Sequence, residues 1–141
     1  MASKSKERQE MELKTAKTRF GVMEPYIKGM SVLDIGCVDS RPGGERKYRS
    51  TGLHMFLKER AARCVGVDTD KDGVEEMNAQ GFECIANDCE TMRLGEEFDC
   101  VVAGEVIEHL SNPGLFLENV KGHLKSGGAF VLTTSNAFSI V

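Results

Sequence analysis

Short apolar runs alternate along the chain with segments whose apolar residues recur every three or four positions. Ala16, Phe20, Met23, Ile27 and Met30 follow that spacing and predict a helix with one apolar face. Gly21 and Pro25 weaken it, and Pro25 predicts a kink or a restart. SVLDI (31–35) predicts a strand, and TGLHMFLKERAA (51–62) a helix with Leu53, Phe56 and Leu57 on one side. RCVGVD (63–68) predicts a second strand. Residues 70–80 predict a helix capped by Thr69 or Asp70 and stopped by Gly81. FECIAN (82–87) and FDCVVAG (98–104) predict the third and fourth strands. SNPGLFLENVKGHLK (111–125) predicts a helix with Pro113 at its first position, Ser111 or Asn112 as cap, and Phe116, Val120 and Leu124 on one face. Gly127 and Gly128 end it, and AFVLTTS (129–135) predicts a fifth strand.

Strands this apolar, alternating with helices, imply a parallel sheet covered on both faces. Right-handed crossovers then make a doubly wound, Rossmann-like α/β fold of about five strands. Residues 1–28 are expected to form an N-terminal cover helix and residues 29–141 the domain it lies on. A basic docking arm is the alternative for the first segment, which carries six basic and three acidic residues before Phe20.

In such folds ligands bind beyond the carboxyl ends of the strands. Four of those ends carry acids: Asp34, Asp68 in VGVDTD, Asp88 in ANDCE, and Glu105 in VVAGEVIEHL. A carboxylate at the second strand end suits a ribose, because its two oxygens can accept from vicinal hydroxyls. A polar group after the third strand can accept from an adenine amino group, and an acid near the first turn can take a cationic amine. Together they favour a nucleoside that carries positive charge and would repel a pyrophosphate. Singly, Asp68 could cap the next helix, Asp88 could be a turn residue and Asp34 a strand-end acceptor.

Composition narrows the class. The 141 residues suit one domain, and the net charge of −4 argues against a nucleic-acid partner engaged over the whole surface. Five cysteines, an odd number with no CxxC pair, read as small buried hydrophobes in a reducing compartment, and the expected location is cytoplasmic. No run of 18 apolar residues predicts a membrane span, and no apolar signal core opens the chain.

VLDIGC, VGVDTD, FDCVVAGEVIEHL and GGAFVLTTSN, in this order, resemble the class I S-adenosylmethionine-dependent methyltransferases over roughly residues 29–139. EVIEHL followed by NPGLFLENVKGHLKSGG is most like members that methylate small metabolites, quinone precursors or sugars. The resemblance implies S-adenosylmethionine as cofactor and a small-molecule acceptor. It places Asp34 and Gly36 at the methionine part, Asp68 on the ribose, and Asp88 on the adenine with a backbone N–H from Cys89. Glu105 also faces the cofactor, and His109, with Glu105, is the candidate catalytic pair. Glu108 and His109 could instead cap or solvate a short helix. Glu105, Glu108 and His109 also have the spacing to converge on a divalent cation, but no fourth ligand is visible and no metal is expected.

Two departures from the family pattern matter. The glycine-rich turn D-x-G-x-G-x-G reads here as Asp34-Ile35-Gly36-Cys37-Val38-Asp39-Ser40. β-Branched Val38 cannot cheaply take positive φ, so the turn is expected to follow another path or hold the ligand farther away. Asp34 and Asp68 stand 34 residues apart, against about 20 in a compact nucleotide-binding unit. The surplus, DSRPGGERKYRSTG, carries Arg41, Arg46, Lys47 and Arg49 and reads either as a lid for an anionic substrate or as a solvated loop.

The second departure is the end of the chain at Val141, where the family continues with a helix and an antiparallel strand pair. The expectation is an exposed fifth-strand edge, hence a homodimer through that edge or a fragment of a longer protein. A non-catalytic methyltransferase-like module acting by protein association is therefore the alternative function. A nicotinamide-dependent dehydrogenase is disfavoured because GxGxxG is absent.

Overall fold

The computed structural model describes Lys6 and residues 20–39 and 52–134. The N-terminal basic segment with Ala16, the cationic loop with Arg41, Arg46, Lys47 and Arg49, and the stretch after Thr134 lie outside the described residues. Residues 20–27 are helical (α1). There follow β1 (Ser31–Ile35), α2 (Leu53–Arg60), β2 (Arg63–Asp68), α3 (Lys71–Ala79), β3 (Glu83–Ala86), β4 (Phe98–Gly104), a single 3₁₀ turn (Ile107–His109), α4 (Pro113–Gly122) and β5 (Leu124–Thr133). The sheet order is β3-β2-β1-β4-β5, and each of these pairings is parallel. The reversal of strand order on either side of β1 is the doubly wound arrangement the alternating pattern predicts.

The parallel register fixes which side chains share a face. Leu33 lies beside Val65 and Val101, and these pack with Phe98, Phe116 and Val120 into the larger core beneath α4. Val32 lies beside Cys64 and Cys100 on the opposite face, where Met23 and Ile27 of α1 and Leu57 of α2 cover them. Val74 and Met77 of α3 close a third cluster over Cys84. All five cysteines are buried and unpaired, as small apolar side chains would be.

Local chemistry explains the element ends. Asp70 caps α3 by accepting from Gly73 N–H at 3.1 Å, and Asn112 caps α4 by accepting from Leu115 N–H at 3.0 Å. Gly81 takes φ +90° just past α3. Helix α1 runs through Pro25 with no break between residues 20 and 27.

One boundary differs. α4 stops at Gly122, and Leu124 already belongs to β5. Leu124 pairs with Phe98 while Ala129 pairs with Cys100, so the intervening residues form a bulge in the strand, with Gly127 at φ +77°. The glycine pair is thus a kink within β5 and not the end of a helix. His123, just past α4, is buried. Its Nδ1 donates to Asn119 O at 2.8 Å and its Nε2 accepts from Leu94 N–H at 3.2 Å. β5 is an edge of the sheet among the described residues, and no helix among them is long and apolar enough to cross a membrane.

Candidate functional site

A cavity of about 850 Å³ opens beyond the carboxyl ends of β1, β2, β3 and β4. Asp34, Gly36, Asp68, Asp88, Cys89, Glu105 and His109 all line it. The four strand-end acids and their neighbours therefore converge on one crevice, as parallel pairing around a central β1 requires.

The turn after β1 shows how the chain manages without further glycines. Gly36 sits at φ +79°, and a Cβ there would lie 2.7 Å from Val106 Cγ2, so both conformation and space demand glycine. Its N–H donates to Val67 O at 2.8 Å, drawing the turn across β2. Val38 needs no positive φ; it is buried, with its Cγ1 in the space a side chain at position 73 would fill. Glycine at position 73 in α3 thus makes room for the valine.

Asp68 fastens this turn. Its Oδ2 accepts from Val38 N–H at 3.0 Å and its Oδ1 from Asp70 N–H at 2.9 Å. Each oxygen keeps a second lone pair for a ligand hydroxyl. Asp88 is exposed, with Oδ1 accepting from Glu90 N–H at 2.8 Å, while Cys89 is buried beside it. Asn87 also lines the cavity and accepts from Asp88 N–H. Glu105 is exposed at φ 57°, with its N–H donating to Thr133 O at 2.8 Å. His109, exposed on the 3₁₀ turn, completes the rim. Glu108 accepts from the Thr134 hydroxyl at 3.1 Å. No group of three or more His, Cys, Asp or Glu among the described residues is arranged to hold a metal ion.

Asp34 has a partner that the acid pattern did not reveal. His54 Nδ1 of α2 lies 2.8 Å from Asp34 Oδ2, and both residues are buried. Burial raises the Asp34 pKa against the opposing pull of His54. Burial also disfavours a charged His54, but its hydrogen bonds to Asp34, Cys64 and Cys84 prevail and push it up to about 12. The hydrogen bond between them thus favours the imidazolium, while burial opposes charge on both partners. Among the described residues Asp34 Oδ1 has no partner, leaving an orphaned acceptor at the cavity floor. A sequence signal for His54 existed: it shares the inner face of α2 with Leu57, three residues on, where a polar residue calls for a partner.

A profile of the methyltransferase domain family matches residues 50–132, spanning Asp68, Asp88, Glu105 and His109 but not the Asp34–Ser40 turn. The ubiquinone biosynthesis O-methyltransferase of Bradyrhizobium sp. (strain ORS 278) is 33% identical over 117 residues, covering 78% of this chain and 42% of that protein. The tRNA U34 carboxymethyltransferase of Alteromonas mediterranea is 28% identical over 122 residues, covering 77% of this chain and 33% of that protein. Among solved structures, the O-methyltransferase from a trans-AT PKS multienzyme of Brevibacillus brevis, in complex with S-adenosyl-L-homocysteine, superposes with a TM-score of 0.65 at 19% identity. That superposition covers 89% of this chain and 43% of the other. The chain spans about two-fifths of the length of the curated relatives it matches. With well over half of its residues matched by the family profile, the chain belongs to the methyltransferase domain family.

Proposed function

We propose that the protein transfers a methyl group from S-adenosylmethionine to a small-molecule acceptor. The observation that carries this reading is the meeting of Asp34, Gly36, Asp68, Asp88, Cys89, Glu105 and His109 around one cavity of about 850 Å³, a size within the ~300–1,000 Å³ of small-molecule sites. The donor set suits this cofactor. Asp68 keeps acceptor capacity for the ribose hydroxyls, Asp88 and the Cys89 N–H border the adenine position, and the orphaned Asp34 oxygen awaits a cation, directly or through water. When bound, the cofactor supplies an already activated methyl on a sulfonium, so the protein's task is mainly alignment, worth up to ~7–11 kcal/mol. Glu105 and His109 line the rim of the same cavity. His109 would take the acceptor's proton where the acceptor must lose one.

The ubiquinone biosynthesis names of the relatives favour a quinone precursor among the small-metabolite acceptors. The five unpaired cysteines favour the cytoplasm. A homodimer through β5 remains part of this reading, because β5 is an edge of the described sheet and Leu132 on it is exposed; sedimentation that returns only monomer would remove it.

Calorimetric titration with S-adenosylmethionine and, separately, with NAD tests the proposal. Binding of the first alone supports it. No heat with S-adenosylmethionine at millimolar concentration would sink it and leave the non-catalytic module, whose support is the buried, His54-engaged Asp34 and the glycine-poor turn.

A further inference from the structure

Behind the cavity lining, Asp34 heads a series of side chains. Asp34 Oδ2 is 2.8 Å from His54 Nδ1, and on the other side of the ring His54 Nε2 is 4.0 Å from Cys84 Sγ. An acid, an imidazole and a thiol are thereby linked through the two ring nitrogens, the arrangement that activates a nucleophile. Cys64 Sγ approaches the same ring at 4.0 Å from Nδ1.

A second thiol completes the group. The register sets Gly66 of β2 between Asp34 of β1 and Cys84 of β3. A Cβ on Gly66 would lie 2.6 Å from Cys37 Sγ and 2.9 Å from Cys84 Sγ. Both sulfurs therefore occupy the volume that any larger residue at position 66 would fill. Cys37 and His54 line the cavity, and Cys84, 7% exposed, lies behind them.

We infer that Cys84, oriented by the Asp34–His54 pair, is an oxidant-sensitive nucleophile and that Cys37 is the thiol that resolves it. Geometry divides the two roles, because Cys84 Sγ is the sulfur 4.0 Å from His54 Nε2, and the electrostatics act in the same sense. The hydrogen bond with Cys37, and then that with His54, outweigh burial and hold Cys84 down to about 5, whereas the same thiol–thiol bond and burial push Cys37 up. The other cysteines are pushed up by burial, Cys89 and Cys100 to about 11. The charged groups facing the pair are Asp34 and Asp68 from the sheet and His54 from α2.

Hydrogen peroxide, small and neutral, is the oxidant class that suits a thiol set just behind the cavity lining. The Cys84 thiolate attacks one peroxide oxygen; the O–O bond breaks, and the departing hydroxide takes the His54 proton and leaves as water. Cys84 is then a sulfenic acid. Cys37 gives its proton to His54 and attacks the Cys84 sulfur; the S–O bond breaks, and the hydroxide recovers that proton as a second water. Two thiols and one peroxide become one disulfide and two waters.

Cys37 directly follows Gly36, and Cys84 lies on the far side of β2. Disulfide geometry requires the two Cα atoms to lie within roughly 7 Å, so the bond would tie the turn after β1 to β3 across Gly66. On the methyltransferase reading, that constrains the turn's backbone beside the cofactor and weakens its binding. This last consequence rests on that reading; the thiol chemistry does not.

The test is peroxide treatment of the reduced protein followed by differential alkylation and peptide mapping. A Cys37–Cys84 cross-link that dithiothreitol reverses is expected. In Cys37→Ser, dimedone should label Cys84 in preference to Cys64, Cys89 and Cys100. In His54→Gln, the rate of Cys84 alkylation by iodoacetamide near neutral pH should fall tenfold or more with Cys100 unchanged. The Cys37→Ser arm leaves the Asp34–His54 pair intact, so it stands even where His54→Gln fails to fold. Cys84 reacting no faster than Cys100, or cross-links spread over other pairs, overturns the inference. S-adenosylmethionine titration of the reduced and oxidised forms separates the two readings. Cross-linking without any cofactor binding would spare the dithiol and reject the enzyme, and cofactor binding without cross-linking would do the reverse.

Discussion

Asp68 Oδ2 accepts the backbone N–H of Val38 at 3.0 Å, joining the end of β2 to a turn 30 residues earlier. With Asp70 N–H on the other oxygen, one carboxylate both shapes the turn after β1 and begins α3. Hydrogen bonds to a charged group contribute about 1.5–3 kcal/mol each. Asp68→Ala is therefore expected to lower the unfolding free energy by at least about 1.5 kcal/mol and to weaken S-adenosylmethionine by tenfold or more. Urea unfolding and calorimetry read the two effects separately. Unchanged affinity with reduced stability would confine Asp68 to a structural role.

Val38 and Gly73 form a complementary pair. A Cβ at position 73 would lie 2.6 Å from Val38 Cγ1 and 2.9 Å from Asp70 Oδ2. Alanine is favoured over glycine inside a helix by about 1 kcal/mol, so without this clash Gly73→Ala would stabilise α3. The expected outcome is the opposite sign, a loss of about 1–3 kcal/mol from overpacking. Val38→Ala in the same chain should restore part of it, giving a coupling of roughly 0.5–3 kcal/mol in a double-mutant cycle. Additive effects would show that the valine does not occupy that space.

The features legible in the sequence were those that local pattern and topology determine together. β1, β2 and β4 fall on the apolar runs SVLDI, RCVGVD and FDCVVAG, because buried parallel strands leave little room for polar residues. Convergence of Asp34, Asp68, Asp88 and Glu105 followed from parallel pairing alone. Leu124 misled, since it continues the four-residue spacing of Phe116 and Val120 yet pairs with Phe98 in the sheet; tertiary pairing overrode a helical period. His54 and Gly66 escaped notice because their roles exist only across space, one against a carboxylate 20 residues away and the other as an absence of side chain between two thiols.

Glu105 stores strain at the end of β4. Its φ of 57° is the sole non-glycine positive value among the described residues. The left-handed region costs an L-residue roughly 1–2 kcal/mol, more for a β-branched one. Glu105→Gly should hold or raise the thermal midpoint, whereas Glu105→Val should be less stable than Glu105→Gly by about 1–2 kcal/mol or more. Methyl transfer is expected to fall in both, because the carboxylate leaves the cavity rim. A valine variant as stable as the glycine variant would mean that the backbone relaxes there without strain.

The Asp34–His54 pair fixes the sign of a pH dependence. Burial works against the imidazolium, but the bonds to Asp34, Cys64 and Cys84 raise His54 from 6.5 to about 12. A folded pKa above the unfolded one means tighter proton binding in the native state. The stabilisation is whole below about pH 6.5 and is lost as pH climbs toward 12. Burial raises Asp34 and acts in the same direction. Cys84 opposes them: lowered from 9.0 to about 5, chiefly by its hydrogen bond with Cys37, it adds stability that grows as pH rises from 5 and is complete above 9. Between neutrality and about pH 9 the two therefore largely cancel in the wild type, and Cys84→Ser uncovers the histidine. In that variant the unfolding free energy should decline over the interval, by up to about 1.4 kcal/mol per pH unit for one proton. Adding His54→Gln should flatten the decline. Urea titrations of both variants at matched pH values measure the difference; parallel curves would show that His54 is neutral in the folded protein and that the pair is a plain hydrogen bond.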